Sequence, residues 1–127
     1  MKLLLDTHCV LWFFDDVEKL SGKVLAAILE PTNEKFVSIA SAWELAIKIS
    51  MGKLAFDGGM EQFFATVNDN GFELLPVRQE HLKLLETLPF HHRDPFDRLL
   101  VTSAIAEGMS LMTVDANIHR YTVDCFW

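Results

Sequence analysis

The chain has 127 residues, 18 acidic and 11 basic side chains, a formal charge of −7, and a hydrophobic half. One compact domain covering 1–127 is expected, with a core that needs no disulfide staples; disorder is excluded, and a basic protein that coats nucleic acid is disfavoured. In chain order, Lys2 to Leu5 reads as a buried strand and Thr7 to Phe14 as a short helix. Ser21 caps a helix over Gly22 to Glu30, which ends at Pro31. Lys35 to Ala40 is the second strand, and Ser41 opens a helix that stops at Gly52. Met60 to Asp69 is helical up to Asn70-Gly71. Phe72 to Val77 is a third strand, placed at an edge by Pro76. Gln79 to Leu88 is amphipathic, with Leu82, Leu85 and Leu88 aligned. A loop, Pro89-Phe90-His91-His92-Arg93, precedes a helix capped by Asp94, begun by Pro95 and ended by Gly108. Ser110 to Val114 is the fourth strand, Ala116 to Tyr121 a helical turn, and Val123 to Phe126 a fifth strand.

Cys9 and Cys125 form neither a disulfide framework nor a CxxC zinc site, so a reducing, cytoplasmic setting is expected. Asp6 interrupts the apolar start, which argues against a signal peptide. No apolar run approaches the ~20 residues of a membrane span.

Strands alternating with helices predict a parallel sheet covered on both faces, with the functional crevice outside the strands' carboxyl ends. Asp6 follows the first strand and Asp115 the fourth. Glu44 lies in the first turn of the helix after the second strand, and Asp97 in the first turn of the helix leading into the fourth. All four acids therefore face one edge. Each has a local explanation. Ser41-Ala42-Trp43-Glu44 is an S-x-x-E capping box. Asp97 is a first-turn acid behind the Asp94 cap, and Asp6 and Asp115 could each cap the short helix after it. Together, however, four carboxylates repel one another and are costly to desolvate, and a hard divalent cation is the usual resolution. Mg²⁺ or Mn²⁺ in such a cage points to phosphodiester hydrolysis.

Leu4-Leu5-Asp6-Thr7-His8, Trp43-Glu44-Leu45-Ala46-Ile47-Lys48, His92-Arg93-Asp94-Pro95-Phe96-Asp97-Arg98-Leu99-Leu100 and Thr113-Val114-Asp115 resemble the motifs of PIN-domain ribonucleases, in the family's order and over essentially the whole chain. The likeness is greatest to VapC-type toxins of toxin–antitoxin pairs. The resemblance implies a three-layer α/β/α fold with a central, mainly parallel sheet of four to five strands. It implies catalytic, metal-holding acids at Asp6, Glu44, Asp97 and Asp115, and a Mg²⁺ or Mn²⁺ cofactor. It also implies an RNA substrate, an inhibitory antitoxin, and a homodimer within a larger toxin–antitoxin complex. Thr7 and Thr113 are similar to hydroxyl residues that flank the family's first and last acids. Asp94 is read mainly as the helix cap, with a supporting role behind the metal ligands.

Arg98 is read as a contact to phosphate or antitoxin carboxylate, or else as an ion pair with a neighbouring acid. Lys48 pairs with Glu44 one turn away. His91 and His92 are expected to be solvated. Trp12, Phe13 and Phe14 are assigned to core or a partner interface, with RNA stacking as the alternative. His92-Arg93-Asp94 spells the kinase tripeptide, but no Gly-rich loop accompanies it. A haloacid-dehalogenase-like phosphatase would need an acid at His8, and a receiver domain would need one where Ser41 stands. The remaining rival is a catalytically silent PIN-like module that only binds an antitoxin.

Overall fold

The computed structural model describes residues 1–127. Five strands, β1 (Lys2–Leu5), β2 (Glu34–Ser38), β3 (Glu73–Leu75), β4 (Ser110–Met112) and β5 (Cys125–Phe126), pair in the order β3-β2-β1-β4-β5. Every pairing is parallel. The connecting helices are α1 (Thr7–Asp15), α2 (Gly22–Leu29), α3 (Ile39–Ser50), α4 (Gly59–Asp69), α5 (Gln79–Thr87) and α6 (Pro95–Glu107). No helix is long and apolar enough to cross a membrane.

Strand periodicity divides the apolar residues between two cores. Leu3, Leu5, Val37 and Met112 face one side, against Val10, Ile28, Leu45 and Phe63 of α1 to α4. Leu4, Phe36, Leu75 and Leu111 face the other, against Leu100, Val101 and Ala104 of α6. Because both faces are covered, Leu3 to Leu5 form a continuous buried run rather than an alternating one. The result is the three-layer α/β/α sandwich expected from the sequence. The chain moves from β1 outward through β2 to β3, then returns to place β4 on β1's other flank. The gap between β1 and β4 is therefore the topological switch point, where open α/β sheets bind ligands.

Several boundaries differ from the sequence reading. The helix expected to open at Ser41 begins at Ile39, and its cap is Ser38, whose hydroxyl accepts from the Ala40 amide at 3.0 Å. Ser41 is thus inside α3, no Ser41–Glu44 capping box forms, and Glu44 lies in the second turn with its carboxylate free for other partners. β4 stops at Met112 because the chain turns at Thr113, whose hydroxyl accepts from the Asp115 amide at 3.1 Å. The Ser21 and Asp94 caps and Pro95 at the start of α6 are as expected. Gly108 ends α6 at φ +66°, a conformation few other residues adopt readily.

Of the expected Leu82–Leu85–Leu88 stripe of α5, Leu85 and Leu88 face inward, and His81 takes the place expected for Leu82. Leu82 is 51% exposed and His81 is fully buried, so the inward face runs through His81, Leu85 and Leu88. His81 Nδ1 accepts the Arg78 amide at 3.2 Å and lies 3.2 Å from the Ser103 hydroxyl, while Nε2 meets Glu107 at 2.8 Å. This polar contact ties α5 to α6. His81→Ala would leave a cavity and unpartnered groups on both helices, and should cost about 2–4 kcal/mol in urea unfolding. A loss below ~1 kcal/mol would mean that α5 is held by its leucines alone.

Candidate metal centre

Asp6 leaves β1 at the switch point and becomes the N-cap of α1. Its Oδ1 accepts the Cys9 amide at 2.7 Å, and its own amide donates to the Met112 carbonyl of β4 at 3.1 Å. Only 5% of the residue is exposed. Asp115 enters from the turn after β4, with Oδ1 accepting the Asn117 amide at 2.8 Å. Asp97 comes from the first turn of α6. Asp94 Oδ1 caps that turn by accepting the Phe96 and Asp97 amides at 2.8 and 3.1 Å, so the cap fixes the segment that carries Asp97. Asp6, Asp97 and Asp115 line one pocket of about 290 Å³ with His8, Trp12 and Val114.

Glu44 stands apart from that pocket lining. It is buried, with Oε1 accepting from the Thr7 hydroxyl at 2.8 Å and Oε2 from Lys48 Nζ at 2.9 Å. Thr7 Oγ1 also lies 3.0 Å from Ser41 Oγ. Thr113 is fully buried and holds the Asp115 amide.

Two sequence expectations are corrected here. His92 is not simply solvated, because its Nε2 lies 3.0 Å from Asp97 Oδ2 and 3.1 Å from Asp115 Oδ2. Arg98 forms no ion pair and does not point out toward phosphate. It is 5% exposed, and its guanidinium donates to the carbonyls of Leu88, Pro89 and His92 and to the Tyr121 hydroxyl. Tyr121 in turn accepts the His92 amide at 3.0 Å. Arg98 therefore pins the loop that presents His92. The sequence held one clue to His92. A residue two places before an N-cap hangs over the helix's first turn, which here contains Asp97.

The electrostatics are unbalanced. Burial raises the Asp97 carboxyl to about 7, helped by the charges of Asp94, Glu44 and Asp6 and opposed by His92. Burial also raises Asp6, against the lowering influence of the Thr113 hydroxyl and the Cys9 amide. Negative charge is thus crowded beyond what the protein neutralises. The donor atoms of His92, Asp97 and Asp115 all lie within 4.8 Å of one another. Adjacent ligands of an octahedral ion bonded at ~2.1 Å sit ~3 Å apart, so the spacing of this cluster suits one divalent cation, with its two carboxylates supplying hard oxygen donors.

His92 itself faces an obstacle as a ligand. Its Nδ1 accepts the Asp94 amide at 3.3 Å, so the ring proton is on Nε2. Nε2 accordingly donates to the two aspartates and has no lone pair to offer an ion.

A family model for the PIN domain matches residues 3–123, and the chain belongs to the PIN-domain family. Its fold is similar to that of VapBC2 from Rickettsia felis bound to a DNA fragment from their promoter. There the TM-score is 0.76 and the identity 16%, over 100% of this chain and 99% of that one. DNA-bound VapBC from Salmonella typhimurium gives a TM-score of 0.70 at 15% identity, over 99% and 97% of the two chains. A toxin–antitoxin complex from Klebsiella pneumoniae gives 0.66 at 14%, over 98% and 96%. At these identities the likeness is one of fold. No curated protein compared with the chain gives a significant match.

An acid raised in the folded state favours folding while protonated and opposes it once ionised. Metal-free protein should therefore lose the stability due to protonated Asp97 as pH rises from about 4 through about 7. Asp97→Asn keeps an oxygen for His92 but cannot ionise. Thermal melts in chelator should show it several degrees more stable than wild type at pH 8, with the gap closing toward pH 4. A gap independent of pH would refute the electrostatic account.

Proposed function

We propose that the chain is a metal-dependent endoribonuclease acting as the toxin of a toxin–antitoxin pair, with residues 1–127 forming one nuclease domain. The observation that carries this reading is the convergence of Asp6, Asp97 and Asp115 on one pocket at the switch point of a PIN fold. A mutually repelling trio of this kind, with Asp6 buried and Asp97 and Asp115 partly so, costs stability and gains nothing structurally beyond what neutral caps could give. Support for the partner comes from the related folds, which include a toxin–antitoxin complex.

In this reading Asp6, Asp97 and Asp115 hold Mg²⁺ or Mn²⁺. Bound there, the ion would lower the pKa of a water nucleophile and offset charge on the scissile phosphate and leaving oxygen. The Cys9 amide and the α1 N-terminus fix Asp6, and Asp94 and Thr113 set the backbone carrying Asp97 and Asp115. Glu44, whose two oxygens are held by Thr7 and Lys48 outside the pocket lining, would act through its charge, which adds to the negative potential at Asp97. His92 steadies the two aspartates by donating to both, and Arg98 holds the His92 loop in place. The substrate is RNA, the inhibitor a cognate antitoxin, and the setting the cytoplasm. A homodimer within the larger complex is supported by an exposed apolar groove on α3 and α4, lined by Ile39, Trp43, Met60 and Phe64 among others, with Trp43 61% exposed.

Asp6→Asn should abolish Mn²⁺-dependent cleavage of total RNA while its circular dichroism and melting remain those of a folded protein. Retained cleavage would sink the assignment, and metal binding without any wild-type cleavage would favour a silent binding module. His92→Ala separates ligand from positioning residue. Calorimetric Mn²⁺ affinity should be unchanged or tighter, because a competing donor is removed. A tenfold loss would instead make His92 a ligand.

A further inference from the structure

Beside the acid pocket lies a second, larger cavity of about 410 Å³, between one face of α1 and the α3–α4 region. It is within the ~300–1,000 Å³ range of small-ligand sites. His8 and Trp12 line both cavities and form the ridge between them, their rings 5.7 Å apart. His8 is exposed and Trp12 half-buried, braced from behind by Trp127 at 5.7 Å. On the far wall stand Lys48, paired with Glu44, and Lys53, which has no carboxylate within ion-pairing distance. Leu11, Leu45 and Phe56 make the floor apolar. At the outer end stand two acids: Asp16, already paired with Lys19 at 2.9 Å, and the exposed Asp15, which has no cation within ion-pairing distance.

We propose that this trough seats one nucleotide of a single-stranded RNA, adjacent to the phosphate held at the acid pocket. Its base lies on the apolar floor against the Trp12 ring, and Lys53 takes its phosphate. The proposal rests on the ribonuclease reading above and adds to it a recognition site and the residues that form it. Three features favour a nucleotide over a peptide. The trough adjoins the acid pocket and shares His8 and Trp12 with it. It offers a flat π-surface of the kind that binds unstacked bases. It also places an unpaired cation beside them, in a protein with only 11 basic residues against 18 acidic ones. Such a site lets an acidic protein hold an anionic strand locally, without a basic surface.

The test is equilibrium binding of a short, fluorescein-labelled single-stranded RNA to the purified chain in Ca²⁺, with strand integrity checked on a gel. Lys53→Met should weaken binding and reduce the slope of log affinity against log salt by about 0.7, the signature of one lost phosphate contact on a single strand. Lys53→Arg should restore both. Trp12→Leu should weaken binding about fivefold or more, the loss of one stacked base, with the salt slope unchanged. Mn²⁺ affinity, measured separately, should be the same in wild type and the Lys53 variants. If wild type binds RNA and both Lys53→Met and Trp12→Leu match it, the trough is no nucleotide seat, and a peptide becomes its expected occupant. If wild type cleaves total RNA in Mn²⁺ yet binds no short RNA in Ca²⁺, this inference fails while the ribonuclease reading stands.

Discussion

Asp6 is a carboxylate held almost out of water at the end of the central strand, and much of the molecule is organised around tolerating it. Moving a charge into such a place is expensive unless hydrogen bonds or an opposite charge compensate. The fold supplies part of the compensation through the Cys9 amide and the positive end of α1. It then adds Asp115 and Asp97 on the neighbouring elements, which makes the electrostatic problem worse. A chain that surrounds one costly charge with more of the same sign is poised for a cation. Part of the net −7 is thereby gathered at a pocket suited to a cation.

The supporting groups around the acids act through hydrogen bonds. His92, Thr113, Tyr121 and the α6 cap orient the site by hydrogen bonds, and the one buried guanidinium, Arg98, spends its donors on loop carbonyls and the Tyr121 hydroxyl. Phe90 covers its outer face at 3.8 Å. Had Arg98 instead paired with Asp97, it would have neutralised the pocket permanently. Its burial under the 88–92 loop gives rigidity while leaving the carboxylates without a guanidinium partner.

The strands and the caps were legible because their signals are local. Leu3 to Leu5, Phe36 to Ser38, Ser21, Asp94-Pro95 and Gly108 each carry their own instruction. Of the four acids expected at one edge, the convergence of Asp6, Asp97 and Asp115 was readable, since strand–helix alternation sends successive strand ends there, whereas Glu44 is held by Thr7 and Lys48 outside the pocket lining. What escaped depended on tertiary contacts. Ser38 and Ser41 are both acceptable caps, and only the reach of β2 in the sheet decides between them. His81 is buried because α6 offers Ser103 and Glu107 to it, partners more than twenty positions away. His92 and Arg98 were misjudged for the same reason, since a loop's conformation is set by what it lands on.

The register of the sheet also bears on when the site can exist. β1 pairs with β4, so Leu3 meets Ser110, and the acids from the two ends of the sequence become neighbours only when that pairing closes. Contacts between such distant segments form late, because closing the intervening chain costs entropy before any contact rewards it. A ribosome-bound chain lacking β4, or a fragment cut anywhere between α1 and α6, has no place where the carboxylates meet. Assembly from both ends thus acts as a timing device. A chain with this topology acquires its complete site only once β4 has joined β1.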